Sequence, residues 1–305
     1  MQERALSKRL LHFTEHGMFW ECCEAKAHDQ FGDFDLDRHN GPCRTKETLL
    51  SIARARRTRH LCPVEWFHFI RRYSFAGFTD TRDRLVALSS VARATQPILG
   101  GHKYFAGLWR NDLVRGLMWH AHKPSMRLAN EHGAVTPSWS WASVAGSIDF
   151  AALGLDTFGC ELVDVVDVQT KPALATNPFG NLREGKLRLL GRLDTMVLPM
   201  TNSFEWSPRQ IVHWDEAQDT LEERRPFTIL PLGGCVQSFM SCTLFGALIL
   251  NPETPASGAH DGTESGRVYR RIGWVQYMHS RSGYSRYSRM KQDWISNMGE
   301  VIIII

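Results

Sequence analysis

An aromatic-rich segment, residues 104–150, contains two dense pieces, YFAGLWRNDLVRGLMWH (Tyr104–His120) and PSWSWASVAGS (Pro137–Ser147). Together they hold four of the ten tryptophans of the chain. Because aromatic side chains bury a large area, this concentration is typical of a structural hub. Helical patterns precede the segment and strand patterns follow it. We therefore expect this aromatic hub to join a helical part and a β-rich part of the chain.

The two pieces of the hub predict different local structures. Apolar residues recur at helical spacing after Leu108, which predicts a helix over Leu108–His120 that is buried on more than one side. Trp139 and Trp141 alternate as on a strand, so their side chains should point to opposite faces. This alternation favours a segment packed on both sides over an open groove that stacks on a ligand or a peptide.

Length, composition and cysteine usage limit the class of protein. The 305 residues are enough for one large or two small domains, and the formal net charge of +4 does not by itself indicate nucleic acid binding. Seven irregularly spaced cysteines do not resemble a secreted disulfide scaffold. The N-terminus lacks a signal-peptide pattern, and no apolar run is long enough to span a bilayer. We expect a soluble, intracellular, cytoplasmic protein without membrane contact and without a cofactor.

The first residues predict a β-hairpin. Strand patterns at Arg9–Thr14 and Met18–Cys22 flank the turn sequence Glu15-His16-Gly17. The polar segment 25–42 predicts a loop. A domain that starts almost directly with a hairpin suggests the tail of a larger unit, so residues 1–24 are treated as a separate region.

Helical patterns fill most of residues 25–123. They predict helices over Thr45–His60 and Glu65–Tyr73, and a third helix that follows a cap at Thr79-Asp80 and ends before Pro97. The apolar face of the third helix is formed by Leu85, Leu88, Val91 and Ala92.

Strand patterns dominate residues 124–305. The predicted strands are Cys160–Lys171, Lys186–Leu198, Ser241–Leu250 and Arg267–Tyr277. The polar stretches 199–226 and 251–266 predict loops. Val301–Ile305 ends in four isoleucines that would form an aggregation-prone edge if exposed, so it is predicted to be a buried strand. The expected fold class is α+β, with an N-terminal hairpin, a helical middle region and a mostly antiparallel β-rich C-terminal region packed on the helical part.

No reaction centre is evident in the sequence. Phosphate-loop, dinucleotide, zinc-protease, nucleophile-elbow and kinase motifs are absent. An early group of cysteines and histidines offers short pairs but no CxxC knuckle, so strand and surface roles are favoured over a zinc site. This group is Cys22, Cys23, His28, His39, Cys43, His60 and Cys62. A Cys-His or Ser-His catalytic pair stays open, because nothing in the sequence selects one. No catalytic, cofactor-binding or metal-binding residue is assigned.

Two basic segments could contact nucleic acid. The arginines of Arg54–Arg59 could bind phosphate or direct nuclear import, but they scatter around the predicted helix and fit a solvated last turn that complements the helix dipole. The tyrosines and arginines of Arg281–Lys291 could stack on RNA bases, although a surface loop is favoured. Nucleic acid is therefore not the favoured partner.

Short motif pieces spread over the chain carry a family resemblance. Two N-terminal pieces are QERALSKRLLHF at Gln2–Phe13 and WEC at Trp20–Cys22. The later pieces are YS from Tyr73, TDTRDRLVALS from Thr79, YFAGLW from Tyr104, LMW from Leu117, PSWSWASV from Pro137, FGALIL from Phe245 and YRRIG from Tyr269. In this order they resemble the last block of the fungal heterokaryon-incompatibility (HET) domain and the region that follows it. The residues chosen as family markers are Gln2, Glu3, Ser7, Trp20, Tyr73, Asp83, Leu85, Gly107, Trp109, Trp119, Pro137, Trp139, Trp141 and Gly273.

The resemblance implies a role in fungal nonself recognition, in which HET domains trigger cell death when incompatible cells fuse. The two upstream blocks of the family, a strand ending in Trp-Gly and a WID…CIQ segment, are absent, so we expect a chain that starts inside the third block. The favoured function is a non-catalytic accessory or regulatory region of a HET-type protein. The expected partner is another protein of the incompatibility system.

Two further functions stay open. HET domains are considered similar to TIR domains, some of which cleave NAD, so this chain could be part of an enzyme whose site needs upstream residues. Gln2, Glu3 and Ser7 match the retained block, but no catalytic role is assigned to them. The other alternative is a weak nucleic-acid-binding protein that uses the two basic segments. The sequence does not identify a small-molecule ligand.

Overall fold

Helices and strands are arranged as an α+β fold in the computed structural model. The structure describes residues 6–22, 25–30, 32–33, 64–76, 78, 80–128, 133–151, 157–199, 203–206, 209–217, 224–237, 242–253, 266–280 and 299–305. Its α-helices are α1 (Val64–Ser74), α2 (Arg84–Thr95) and the single turn α3 (Leu113–Gly116). None of the described helices is long and apolar enough to cross a membrane.

Within the described residues, the strands form one large sheet and three small ones. The strands before residue 155 are β1 (Arg9–Thr14), β2 (Gly17–Cys22), β3 (Lys26–His28), β4 (Gly32–Asp33), β5 (Tyr104–Phe105), β6 (Leu108–Trp109), β7 (Trp119–Ala121) and β8 (Ile148–Phe150). The later strands are β9 (Thr157–Glu161), β10 (Asp164–Pro172), β11 (Leu182–Gly191), β12 (Asp194–Pro199), β13 (Ser203–Trp206), β14 (Arg209–Trp214), β15 (Arg224–Gln237), β16 (Cys242–Pro252), β17 (Arg267–Ser280) and β18 (Glu300–Ile304). The large sheet has the order β10-β11-β18-β17-β16-β15-β12, with β9 on β15 and β14 joining β13 to β17. The expected fold class, α+β and mostly antiparallel, is confirmed.

The N-terminal hairpin is present as predicted, but it belongs to a four-stranded sheet β1-β2-β3-β4. The loop prediction for 25–42 is therefore wrong at β3 and β4. β3 is held by pairing to β2, where Phe19 lies opposite His28 and their ring centroids are 4.3 Å apart, and β4 pairs with β3. A three-residue polar strand has no hydrophobic alternation from which to recognise it.

Helices α1 and α2 follow their sequence patterns closely. The predicted apolar face of α2, including Leu85 and Leu88, is buried. The cap at Asp80 is confirmed, with its carboxylate accepting a hydrogen bond from the Arg82 amide at 2.9 Å, although it begins a 3₁₀ turn (Thr81–Asp83) that leads into α2. The predicted helix Thr45–His60 and both basic segments lie outside the described residues.

The segment predicted as one helix over Leu108–His120 is helical only over Arg110–Gly116, as a 3₁₀ turn followed by α3. The prediction is wrong at both ends, which form β6 and β7. Ala106 and Gly107 have φ angles of 46° and 96°, which reverse the chain so that β6 pairs with β5. The strand-like conformation expected at Trp139 and Trp141 is also wrong, because these residues lie in a turn and a 3₁₀ turn (Trp141–Ser143). In both places, contacts with distant chain override the local apolar period.

Two long strands predicted in the C-terminal region are each interrupted. Cys160–Lys171 is divided between β9 and β10, and Lys186–Leu198 between β11 and β12. The loop prediction for 199–226 is wrong at β13 and β14, whose polar residues mask the alternation. The strands predicted at Ser241–Leu250 and Arg267–Tyr277 are confirmed as parts of β16 and β17.

The isoleucine strand β18 lies inside the large sheet, as predicted. It pairs antiparallel with β11 and parallel with β17. Strands of this sheet are buried on both faces. On β16, Leu248 and Leu250 join the main core with the helices and the aromatic hub, whereas Ala247 and Ile249 join a smaller core on the opposite face.

Candidate functional site

The motif pieces from Tyr73 onward contribute residues to the main core, whereas the described residues of the two N-terminal pieces do not. Gly107 is one meeting point, since its carbonyl accepts hydrogen bonds from Trp66 Nε1 at 3.0 Å and from Trp141 Nε1 at 3.3 Å. A Cβ on Gly107 would overlap the Trp141 indole, and its φ of 96° is in the left-handed region. Glycine is therefore required here by both space and backbone conformation.

The tryptophans of the hub are core residues. Trp119 donates from Nε1 to the carbonyl of Trp139 at 3.0 Å, and Ser140 Oγ donates to the carbonyl of Ala106 at 2.7 Å. Trp119 and Trp139 are fully buried, and Trp109 is 2% exposed. The hub is therefore packed on several sides. This agrees with the structural role that the sequence favours over an open ligand-binding groove.

A buried arginine links the TDTRDR piece to the hub. The Arg84 guanidinium lies 5.1 Å from the Trp141 ring centroid and 5.6 Å from that of Phe78, and its Nη1 donates to the carbonyl of Val144. The Tyr73 hydroxyl donates to the carbonyl of Arg84 at 2.7 Å. Burial lowers the pKa of Arg84 to about 10 and raises the pKa of Tyr73.

Arg271 of the YRRIG piece forms a sealed ionic centre. Its Nε lies 3.1 Å from Asp215 Oδ2, and both side chains are fully buried. Its Nη groups donate to the carbonyls of Leu117 and Trp119, and its guanidinium lies 3.4 Å from the Trp119 ring centroid. Its backbone amide donates to Ser138 Oγ at 3.0 Å. Burial lowers the pKa of Arg271 to about 10, an effect opposed by the Asp215 carboxylate.

Arg127 completes this centre from the side nearer the solvent. It donates from Nη2 to the carbonyl of Arg271 at 2.8 Å and from Nη1 to Ser143 Oγ at 3.1 Å. Its Nε donates to Glu216, and Nη2 lies 3.6 Å from Asp215. Because the guanidinium groups have these partners within the protein, the centre joins motif pieces and does not offer a site to a substrate.

A β-bulge gives Arg271 its inward direction. Ile249 pairs with Gly273 and Leu250 pairs with Arg271, so Ile272 is the extra residue of β17. The bulge lets Arg271 and Trp274, three residues apart, both face the main core, whereas Arg270 is exposed on the other face.

An open groove lies just outside this centre. It has a volume of about 470 Å³, within the range of small-molecule sites. The charged side chains that line it are Arg127, Arg183, Lys186, Arg270, Glu184 and Glu253. Leu128, Val135, Pro137 and Ile305 supply apolar surface.

A pair of histidines lies at the contact between β7 and β14. The ring centroids of His120 and His213 are 4.0 Å apart. Burial lowers the pKa of His213 to about 4, and burial together with the neighbouring His213 and Arg271 holds the pKa of His120 well below its usual range. Both rings are therefore neutral at pH 7.

The described residues do not form a metal centre. Of the seven cysteines and histidines considered for zinc, Cys22 and His28 lie in the described part of the chain. Within that part, no group of three or more His, Cys, Asp or Glu side chains is placed to hold a metal ion.

The family markers differ in how deeply they are buried. Tyr73, Leu85, Gly107, Trp109, Trp119, Pro137, Trp139, Trp141 and Gly273 are buried. Ser7 is half-buried and Asp83 is exposed at the start of α2, while Gln2 and Glu3 lie outside the described residues. Trp20 is on the hairpin, remote in sequence from the buried group.

The ionic centre and the groove were not predicted from the sequence. Arg271 and Arg270 lie within the quoted YRRIG piece, but Arg127, Asp215 and Arg183 are in polar stretches without a motif. Their proximity depends on contacts between residues far apart in the chain.

One face of the N-terminal hairpin is apolar and exposed. In the register of β1 and β2, Leu11 lies opposite Trp20 and Phe13 lies opposite Met18. Their exposed fractions are 50% for Leu11, 75% for Phe13, 41% for Met18 and 37% for Trp20. We call these four residues the hairpin face.

Comparisons with known proteins do not add a family. No family model, no curated protein and no solved structure matches this chain.

Proposed function

We propose that this chain is a non-catalytic accessory region of a HET-type nonself-recognition protein, and that it acts by binding another protein of the incompatibility system. The hairpin face is the observation that carries this proposal. Four large apolar side chains on one side of a single hairpin leave a contiguous surface in contact with water, a feature that marks protein-interaction sites.

The opposite side of the hairpin is already occupied. Phe19 packs on His28, and His12 Nε2 lies 3.5 Å from the carboxylate of Glu21, which is 2% exposed. The hairpin therefore has one internal side and one apolar external side. A partner with its own apolar sheet or helix surface would remove the external side from water, which favours association.

The convergence of motif pieces supports the family part of the proposal. Pieces separated by 154 and 152 residues contact one another directly, since Arg271 donates to the carbonyls of Leu117 and Trp119. A set of motifs that builds one structural unit is what a shared fold would require.

The test is a cell-death assay in a fungal host that expresses the chain together with an incompatible HET-domain protein. The wild-type chain should change the frequency of cell death. The double variant Phe13→Ser and Trp20→Ser should abolish this effect, because it removes the two aromatic rings of the hairpin face. The matched control is Val166→Ser and Leu174→Ser, which removes two exposed apolar side chains from outside the hairpin (47% and 65% exposed).

Association of the purified chain with the same HET-domain protein is measured in parallel by isothermal titration calorimetry. Unchanged death frequency and unchanged binding in the Phe13→Ser and Trp20→Ser variant would reject the proposal. Consumption of NAD by the purified chain alone would instead favour the enzymatic alternative.

A further inference from the structure

Strand β1 forms an edge of the N-terminal sheet. The strand order β1-β2-β3-β4 leaves the outer side of β1 without a neighbouring strand among the described residues. A strand in this position presents backbone N–H and C=O groups that can pair with another strand. The pairing of β2 with its two neighbours shows which residues of β1 direct these groups outward.

The backbone of β2 alternates between its two neighbours. The Met18 carbonyl accepts a hydrogen bond from the Asp29 amide at 3.1 Å, and the Cys22 amide donates to the Ala25 carbonyl at 2.9 Å. Both contacts lie on the β3 side. Because the direction of the backbone groups alternates along a strand, Met18, Trp20 and Cys22 turn these groups toward β3 and away from β1.

Opposite these residues of β2 lie Phe13, Leu11 and Arg9 of β1. They form the non-hydrogen-bonded pairs of the hairpin, so their own N–H and C=O groups point to the open edge. The side chains of Leu11 and Phe13 also belong to the hairpin face. The outward backbone groups and the exposed apolar side chains of β1 therefore come from the same residues.

The edge at β1 lacks the protection that the edge at β10 has. Strand β10 lies at one end of the large sheet and contains a bulge between Val165 and Asp167. Arg110 Nη2 donates to the Val165 carbonyl at 3.0 Å, and the Val168 amide donates to Asp167 Oδ1 at 2.8 Å. Such devices keep an edge from pairing with another chain. In β1, pairing with β2 is regular over all six residues, and none of them is proline.

An antiparallel edge is complementary to itself about a two-fold axis. With the axis at Leu11, this residue lies opposite Leu11 of a second copy. Arg9 then lies opposite Phe13, since both are two positions from Leu11. All three residues with outward N–H and C=O groups thus meet as hydrogen-bonded pairs. Each Arg9 is placed beside an aromatic ring and not beside a second cation, which favours this register.

We propose that two copies of this chain associate through their β1 strands, which pair antiparallel about a two-fold axis at Leu11 and join the two N-terminal sheets. The hairpin faces of both copies then lie on the same side of the joined sheet and stay exposed. This association is therefore independent of the partner proposed above for the hairpin face. Because a contact between two short edges is small, the dimer is reversible.

Sedimentation velocity of the purified chain tests self-association. The mean mass of the wild type should rise toward that of a dimer between about 1 µM and about 500 µM. Leu11→Pro removes an outward N–H and no hydrogen bond to β2, so it should weaken self-association at least about tenfold. Leu11→Ser is the matched control, because it removes the same side chain and keeps the N–H. It should stay within about threefold of the wild type.

Two further variants separate the edge of β1 from the hairpin face. Phe13→Pro removes another outward N–H and should also weaken self-association at least about tenfold. Trp20→Ser removes an aromatic ring of the hairpin face from β2 and leaves the edge intact, so self-association should stay within about threefold of the wild type. Circular dichroism and melting temperatures verify that each variant folds.

Amide hydrogen exchange of the wild type, followed by NMR, gives a test that needs no variant. As the concentration rises, exchange should slow more at Leu11 and Phe13, whose N–H groups point to the edge, than at Leu10 and His12, whose N–H groups bind β2. The reverse pattern would reject the proposal. So would a monomer over the whole concentration range, wild-type self-association in a folded proline variant, or its loss in Trp20→Ser.

Discussion

Arg270 and Arg271 are adjacent in the chain but have opposite environments. Arg271 is fully buried and bound to Asp215, whereas Arg270 lies at the groove beside Glu253. Alternation along β17 separates them, since successive side chains of a strand point to opposite faces. Arg271 therefore contributes to the stability of the core, whereas Arg270 contributes to the chemistry of the surface.

Replacement of these two arginines should have very different effects on stability. Arg271→Met leaves the Asp215 carboxylate buried without its principal partner, and we expect it to lower the free energy of unfolding by about 3–5 kcal/mol. Arg270→Met removes an exposed side chain with one long ion pair, so a change within about 0.5 kcal/mol is expected. Urea unfolding followed by circular dichroism measures both. Similar urea midpoints for the two variants would contradict the stabilising role assigned to the buried ion pair of Arg271 and Asp215.

At the scale of elements, the contact between β7 and β14 depends on two uncharged imidazole rings. His120 of β7 faces His213 of β14 at 4.0 Å. His122, Arg71 and Arg271 add positive charge near His120, and all three lower its pKa. Protonation of either ring would place a charge in a partly buried site beside other positive groups.

Stability should therefore fall in acid. In the unfolded chain a histidine has a pKa of about 6.5, while His213 in the folded chain has a pKa of about 4 and that of His120 is also lowered. Below pH 6.5 the unfolded chain binds protons that the folded chain does not, so the free energy of unfolding decreases as pH falls. The contribution of His213 is complete above pH 6.5 and is lost progressively toward pH 4.

The double variant His120→Phe and His213→Phe should reduce this pH dependence. Its free energy of unfolding, measured by urea titration between about pH 7.5 and pH 4.5, should vary less than that of the wild type. His16→Phe replaces an exposed histidine of the hairpin turn and should keep the wild-type pH profile. If the free energy of unfolding falls with pH as steeply in the double variant as in the wild type, these two rings do not cause the loss of stability in acid.

At the scale of the whole molecule, the large sheet has a core on each face. The main core combines α1, α2, the aromatic hub and one face of the sheet, whereas the smaller core contains residues such as Val212, Phe227 and Val275. Neither core, as far as the described residues extend, contains a residue of β1–β4. The N-terminal sheet should therefore be the less stable unit.

Hydrogen exchange should separate these units. The free energy of the opening that permits exchange is expected to be at least about 2 kcal/mol lower for amides of β1 and β2 than for amides of β16 and β17. The reason is that the hairpin shares little buried apolar area with the rest of the chain. Exchange followed by mass spectrometry of peptides from both regions measures the difference. Equal protection of the two regions would mean that the N-terminal sheet is part of the same cooperative unit.

Local pattern was sufficient for elements whose burial follows one clear period. The apolar face of α2, the β1–β2 hairpin, the valine- and leucine-rich runs of β16 and β17, and the isoleucines of β18 were all recognised in this way. Pattern failed at Leu108–His120, where apolar residues are buried in more than one direction although Asn111 is exposed. With apolar side chains buried in several directions, their spacing no longer distinguishes one helix from strands joined by a helical turn.

The sequence by itself determined the α+β class and the elements with one clear apolar period, such as α2 and β18, because these depend on hydrophobic spacing within short segments. Only the tertiary structure decided the conformation of the aromatic hub, the pairing of Arg271 with Asp215 and the groove beside the end of β18. Arg271 and Asp215 are 56 positions apart, and the groove walls come from β11, which ends at Gly191, and β17, which begins at Arg267. Ionic contacts and concave surfaces of this kind arise from strand order and register, which no local pattern in this chain specifies.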